Sequence, residues 1–147
     1  MKVSEVKLSY KSRVNLKDAP KITSSLTAHK VLRSNWCDDI EFNEQFYILL
    51  LNKANKVLGQ YLVSSGVLSG TVVDPKNVFI AALKTRAAAI ILAHNHPSGN
   101  LKASEADKQV TNRLVKAGEL LDIKVLDHII LSPCGGYLSF TDEGLLS

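Results

Sequence analysis

The chain has 147 residues, of which 46% are hydrophobic and 22% are charged, and its formal net charge is +4. This length and composition are typical of one globular domain, which buries enough surface to fold without a disulfide or a metal ion. They exclude collagen-like, coiled-coil and low-complexity proteins. The longest apolar runs, residues 46–51 and 87–93, are far shorter than the ~20 residues of a membrane-spanning helix. We therefore expect a single domain over residues 1–147, with no membrane partner.

The cellular compartment is indicated by the start of the chain and by its cysteines. No apolar stretch follows Lys2, so we expect no secretory signal. Cys37 and Cys134 lie far apart and form no CxxC pattern. We expect two reduced thiols in a cytoplasmic protein, and a single disulfide is the alternative.

The positive charge is concentrated in an N-terminal arm, about residues 1–24. Residues 1–35 have a balance of +6, whereas residues 36–147 have a balance of −2. Such an arm can contact nucleic-acid phosphates, but a solvated basic surface is the more common outcome. Tyr10 is the only aromatic residue among these charges, so the pattern does not favour base stacking.

The first half of the chain is predicted to contain a short strand, a helix and a hairpin. Val6, Leu8 and Tyr10 alternate with polar residues, which predicts a strand with one buried face. A polar connector follows, and Ser24 or Ser25 is expected to cap a helix. The apolar positions of that helix are Leu26, Val31 and Leu32. The apolar run in residues 44–51 and the segment 57–63 flank a polar turn, which predicts a hairpin.

The second half alternates helices and strands. Asp74 and Pro75 are expected to start a helix that ends near Arg86, because Asp favours the N-cap and Pro the first helical position. We expect a strand at 88–92 and a loop at 94–99 after it. A helix is expected at 104–121, with Val110, Leu114, Val115 and Leu121 on its apolar side. The last expected elements are a strand at 123–131, a Gly135-Gly136 turn and a strand at 137–140. This order predicts an α/β fold with a mixed β-sheet flanked by helices.

The loop after residues 88–92 carries the residues most typical of a catalytic site. His94 and His96 are two positions apart, so both side chains can leave the same face of a strand. Asp107 lies in the first turn of the following helix, within reach of both histidines through a short loop. Two imidazoles and one carboxylate suffice to hold a catalytic Zn²⁺ with one position left for water. Ser104-x-x-Asp107 also resembles a helix capping box, and the two roles are compatible.

Hydrolysis also requires a group that transfers a proton to the leaving amine. Glu44 is the best candidate, since a charged residue at the start of a buried strand is costly unless it is paired or functional. Ser104 is a candidate donor to the oxyanion that forms on a substrate carbonyl. The alternatives are a solvated carboxylate for Glu44 and a structural role for the histidine pair.

Together these residues match, without a gap, the signature of the JAMM (MPN+) metalloproteases, Glu … His-x-His-x7-Ser-x2-Asp. The strings HNHPSG, SEAD, AAAIILA and VLDHIILS resemble the RadC family of bacterial proteins over about residues 25–147. The resemblance implies a JAMM-type α/β sandwich, one Zn²⁺ on His94, His96 and Asp107, and Glu44 as general acid/base assisted by Ser104. Glu44 is matched through NEQFYILLLN, and Glu41 is the alternative if that register is wrong.

Two further histidines are expected to lie outside the ligand set. His128, in the family-like DHII segment, is expected to be a core residue or to support the ligands, because three ligands are already supplied. His29 is expected to lie at the surface.

Three hypotheses follow from the sequence. The first is a zinc-dependent hydrolase of peptide or isopeptide-linked protein substrates. The second is an accessory protein of DNA repair or mobile elements. Full-length relatives usually have an N-terminal helix-hairpin-helix region, and the residues before the motif-bearing part of this sequence are too few for it. The third is a module with a structural metal that acts through a partner. Substrate and oligomeric state are not indicated.

Overall fold

The protein is described from a computed structural model over residues 1–37, 40–66 and 73–146. The helices and strands occur in the order α1 (Ser25–Ser34), β1 (Gln45–Leu51), β2 (Val57–Ser65), α2 (Pro75–Lys84), β3 (Ala89–Asn95), α3 (Glu105–Leu120), β4 (Lys124–Leu131) and β5 (Tyr137–Ser139).

The described strands form one mixed five-stranded sheet in the order β2-β1-β3-β4-β5. β3 and β4 pair in parallel, and the other neighbours pair antiparallel. β1 and β3 lie in the interior of the sheet and every residue of both strands is buried. Strands covered on both faces need continuous apolar sequence, which explains the uninterrupted apolar run of β1. The predicted α/β fold with a mixed sheet is confirmed.

Helices cover both faces of the sheet. Phe46, Ile48 and Ile90 face a core that includes side chains of α2 and α3. Leu49 and Ile91 point to the opposite face, where α1 contributes to a second core. Because successive strand residues alternate between faces, the two cores use alternate residues of the same strands.

The helix starts were predicted well and the ends less well. Ser24 caps α1, and Asp74 caps α2 through a 2.9 Å hydrogen bond from the Lys76 amide. α2 ends at Lys84 rather than Arg86, which adopts a left-handed conformation with φ 55°. That conformation terminates a helix, and sequence pattern alone did not indicate it.

The predicted N-terminal strand is wrong. Residues 1–10 contain no strand, and Val6 and Leu8 are 81% and 76% exposed. The start of β2 already pairs with the connector, because the Val57 amide donates to the Pro20 carbonyl. The arm touches β2 through a hydrogen bond from the Tyr10 hydroxyl to the Leu58 carbonyl, whereas Val6 and Leu8 stay exposed.

Three further expectations need correction. Leu26 and Leu121 are 47% and 42% exposed, so neither belongs to the apolar side of its helix. His29 is not a surface residue: it is only 7% exposed and stacks on the Tyr137 ring at 4.3 Å. His94 lies inside β3 rather than in the following loop, because it pairs with both β1 and β4.

Cys37 and Cys134 are free thiols, as expected. Among the described residues, no helix is both long and apolar enough to cross a membrane.

Candidate metal centre

The predicted ligands converge at the carboxyl end of β3. His94 is the penultimate residue of β3 and His96 follows the strand, so both rings leave the same face. Asp107 lies in the first turn of α3, which begins beside that end. His94 Nε2 is 2.9 Å from His96 Nε2 and 3.2 Å from Asp107 Oδ1, and His96 Nε2 is 3.4 Å from Asp107 Oδ2. These three residues form the group of possible metal ligands found in the described part of the chain.

A capping box fixes the position of Asp107. The Asp107 amide donates to Ser104 Oγ at 3.0 Å, and the Ser104 amide donates to Asp107 Oδ2 at 2.9 Å. The carboxylate therefore stabilises the start of α3 and faces both histidines at the same time. The capping box predicted for Ser104-x-x-Asp107 is confirmed, and it leaves the carboxylate of Asp107 beside both histidines.

A buried chain of hydrogen bonds sets the tautomer of His94. Thr111 Oγ1 donates its only proton to the Asp107 carbonyl at 2.7 Å, so at 2.6 Å it accepts from His128 Nδ1. His128 Nε2 then has no proton and accepts from His94 Nδ1 at 2.7 Å. A proton on His94 Nδ1 leaves a lone pair on Nε2, which faces His96 and Asp107.

His96 is oriented in the same sense. Its Nδ1 donates to the carbonyl of Asn100 at 2.5 Å, so the lone pair of the neutral ring is on Nε2. The two Nε2 atoms lie 2.9 Å apart, and each lies 3.2–3.4 Å from a different oxygen of the Asp107 carboxylate. Such an arrangement is repulsive unless a proton or a metal cation lies between the atoms.

The spacing of these atoms fits a metal ion. Ligands at Zn–N distances of 2.0–2.1 Å in a tetrahedron lie about 3.3 Å apart. One nitrogen of each histidine and one oxygen of Asp107, all within 4.8 Å of one another, can occupy three vertices of such a tetrahedron, and the fourth is left for another ligand. The donor set of two neutral histidines and one carboxylate is also one that catalytic zinc uses.

The pKa values of the site show that it favours a positive charge between the histidines and Asp107. A hydrogen bond to Asp107 raises the pKa of His96 against the opposing effect of burial, and the charge of Glu44 adds to the rise. Burial alone would raise the pKa of Asp107, but hydrogen bonds with His94 and His96 hold it below its usual range. Complete burial lowers the pKa of His128 well below its usual value, so its ring is neutral.

Glu44 lies immediately before β1 and is half-buried, whereas Glu41 lies in the exposed turn before it. Phe46 pairs with His94 in the antiparallel ladder, and continuing that register by two residues brings Glu44 opposite His96. The structure thus brings Glu44 toward the ligand group and leaves Glu41 at the surface. Ser104 is exposed at the N-cap of α3, and its hydroxyl proton is not used by the cap.

Two residues of the site were not predicted from the sequence. Thr111 stands four positions after Asp107, a spacing that places both on one helix face and could have revealed it. Asn95 points to the face opposite the histidines, so the histidine pattern carried no signal for it. His128 supports His94 rather than joining the ligand group, as expected.

Comparison with known proteins places this site in a family. The family model described as "RadC-like JAB domain" matches residues 22–145. A "UPF0758 protein" of Flavobacterium johnsoniae is 48% identical over 103 residues, which cover 70% of this chain and 44% of the relative. A "UPF0758 protein" of Porphyromonas gingivalis is 42% identical over 125 residues, 85% of this chain and 54% of the relative. The chain spans about half the length of these curated relatives. It belongs to the RadC family and contains its JAB-type domain.

Proposed function

We propose that the protein is a metal-dependent hydrolase, with one Zn²⁺ held by His94, His96 and Asp107, that cleaves peptide or isopeptide bonds. The observation that carries the proposal is the convergence of His94, His96 and Asp107, each of which offers one ligand atom within 4.8 Å of the others. The JAB-type domain supports it independently.

Each side chain has a defined task in this proposal. A zinc ion held there would supply a nucleophilic water at neutral pH and polarise the scissile carbonyl. Glu44 accepts the proton of the attacking water and delivers it to the departing nitrogen. Ser104 donates its free hydroxyl proton to the oxygen that becomes negative in the transition state. His128 and Thr111 keep the Nε2 lone pair of His94 directed into the site.

The test is hydrolysis of two probes by the zinc-loaded protein: a library of internally quenched peptides and a set of peptides joined through lysine side chains. We expect Glu44→Gln to reduce cleavage by about 10²-fold or more, the usual contribution of a general acid/base. Glu41→Gln is the matched control and should retain activity. Full activity of Glu44→Gln on a probe that the protein cleaves would contradict the role of Glu44.

A second candidate function is contact of the basic arm with DNA. Residues 1–18 are exposed, and the ion pairs found among the described residues leave the arm's lysines out. Binding of duplex DNA should weaken with rising salt and on removal of residues 1–18. DNA binding that is unchanged by this truncation would exclude the arm as the contact.

A further inference from the structure

We propose that Asn95 is a positioning residue that fixes Glu44 beside the metal ligands. The inference rests on the proposed function, because it explains how the carboxylate is held where that reaction needs it. Asn95 itself touches neither the ligand atoms nor the space between them.

Asn95 is fully buried, and its side-chain amide makes three hydrogen bonds to residues 40–45. Its Oδ1 accepts from the Gln45 amide at 2.8 Å. Its Nδ2 donates to the carbonyls of Ile40 and Asn43, both at 2.8 Å. One acceptor facing an N–H and two donors facing carbonyls define the orientation of the amide without ambiguity.

These contacts enclose Glu44. Asn43 and Gln45 are its two chain neighbours, and both are bonded to the side chain of Asn95. On the other side, the Gly66 amide donates to the Glu44 carbonyl at 2.9 Å. The backbone of Glu44 is therefore held from both sides, and alternation along a strand directs its side chain to the face opposite that of Gln45.

Asn95 also lies directly between His94 and His96 in the chain. The end of β3 and the residue that follows it therefore present the two histidines on one face and, through Asn95, set the position of the general base from the other face. This coupling matters because a displacement of about 1 Å in a catalytic group can cost ~10²-fold in rate.

The bonding pattern requires asparagine. Aspartate keeps the acceptor but has no proton for the two carbonyls, and alanine provides neither. Leaving these two carbonyls and the Gln45 N–H without their partner destabilises the segment that they belong to. We therefore expect changes at Asn95 to loosen residues 40–45 while the ligand group stays intact.

The first experiment compares amide hydrogen exchange in the wild type, Asn95→Ala and Asn95→Asp, with the exposed Asn112→Ala as control. In Asn95→Ala the Gln45 amide should exchange about tenfold faster or more, with the change confined to residues 40–45 and zinc still bound. Asn95→Asp retains the acceptor of the Gln45 amide and loses only the two donors, so in this variant the faster exchange is expected at the amides of residues 41–44. Unchanged exchange at Gln45 in a folded Asn95→Ala, or at residues 41–44 in Asn95→Asp if Asn95→Ala does not fold, would overturn the proposal.

The second experiment asks whether Asn95 acts through Glu44. The visible spectrum of the cobalt(II)-loaded protein is measured for Asn95→Ala, Glu44→Gln and the double variant. We expect Asn95→Ala to shift the spectrum in the direction of Glu44→Gln, and the double variant to show no further shift. A shift of equal size with and without the Glu44 carboxylate would overturn the proposal. Failure of the wild type to bind cobalt or zinc would instead refute the proposed function, and hydrogen exchange would still decide the role of Asn95.

Discussion

Asp107 combines two roles in one side chain. One carboxylate oxygen accepts the Ser104 amide, and the carboxylate as a whole faces the Nε2 atoms of both histidines. Its helical partner Thr111 continues the network to His128 and His94. At the scale of single residues, these supporting contacts orient the three proposed ligands.

The contribution of Thr111 can be measured with a near-isosteric change. Thr111→Val removes the hydroxyl that fixes the His128 tautomer, and we expect zinc affinity to fall by about 10–100-fold. The matched control is Thr85→Val. The hydroxyl of Thr85 also donates to the carbonyl four residues earlier, that of Ala81, but it lies at the end of α2. Competition with a chelator of known affinity measures both variants. Equal zinc affinity of wild type and Thr111→Val would refute the tautomer argument.

His29 makes stability depend on pH. Burial and the nearby charges of Arg33 and Lys30 lower the pKa of His29, which stacks on Tyr137 with its Nδ1 unpartnered among the described residues. The unfolded state therefore takes up a proton first as the pH falls below about 6.5, which destabilises the fold. This effect cannot exceed about 1.4 kcal/mol per pH unit.

The check is the free energy of unfolding of wild type and His29→Phe from pH 7.5 to 5.5. Phenylalanine retains a ring against Tyr137 but does not titrate, so the wild type should lose more stability than the variant as the pH falls. Parallel pH profiles would show that His29 titrates alike in the folded and unfolded states.

At the scale of helices and strands, α1 and α3 each begin with a capping box, but only the one of α3 includes a proposed metal ligand. Ser24 and Ser104 each accept the amide three residues later, from Thr27 and Asp107. Replacing either serine by alanine should cost about 1 kcal/mol of unfolding free energy. Only Ser104→Ala should also weaken zinc binding, because only its partner is a proposed ligand. Thermal denaturation and zinc competition measure the two effects, and equal zinc affinity in both variants would contradict the link between cap and site.

Local chemistry made most elements predictable from the sequence. Ser24, Asp74 and Ser104 marked helix starts, and the apolar run of β1 marked a buried strand, because each signal acts on its own neighbours in the chain. The arm shows the opposite case. Val6 and Leu8 alternate correctly for a strand, but a strand requires a partner edge, and alternation carries no information about that partner.

At the scale of the whole molecule, sheet topology assembles the site. β1 and β3 are antiparallel neighbours, so the start of β1 lies beside the end of β3, and Glu44 approaches a histidine about fifty residues away in sequence. Periodicity could not establish that pairing, and Glu44 was assigned to the site only through the resemblance of NEQFYILLLN to the family. The burial of His29 against Tyr137 likewise depends on a tertiary contact between α1 and β5, which no local pattern indicates.

His94, His96 and Asp107 are proposed to hold a zinc ion, and elemental analysis of protein purified without a histidine tag tests this assignment most directly. Wild type and His96→Ala should be compared after exposure to zinc, with circular dichroism to verify the fold. We predict about one zinc per chain in the wild type, the content of a single catalytic site, and its loss in His96→Ala. A folded wild type that binds no metal after zinc is supplied would contradict the account.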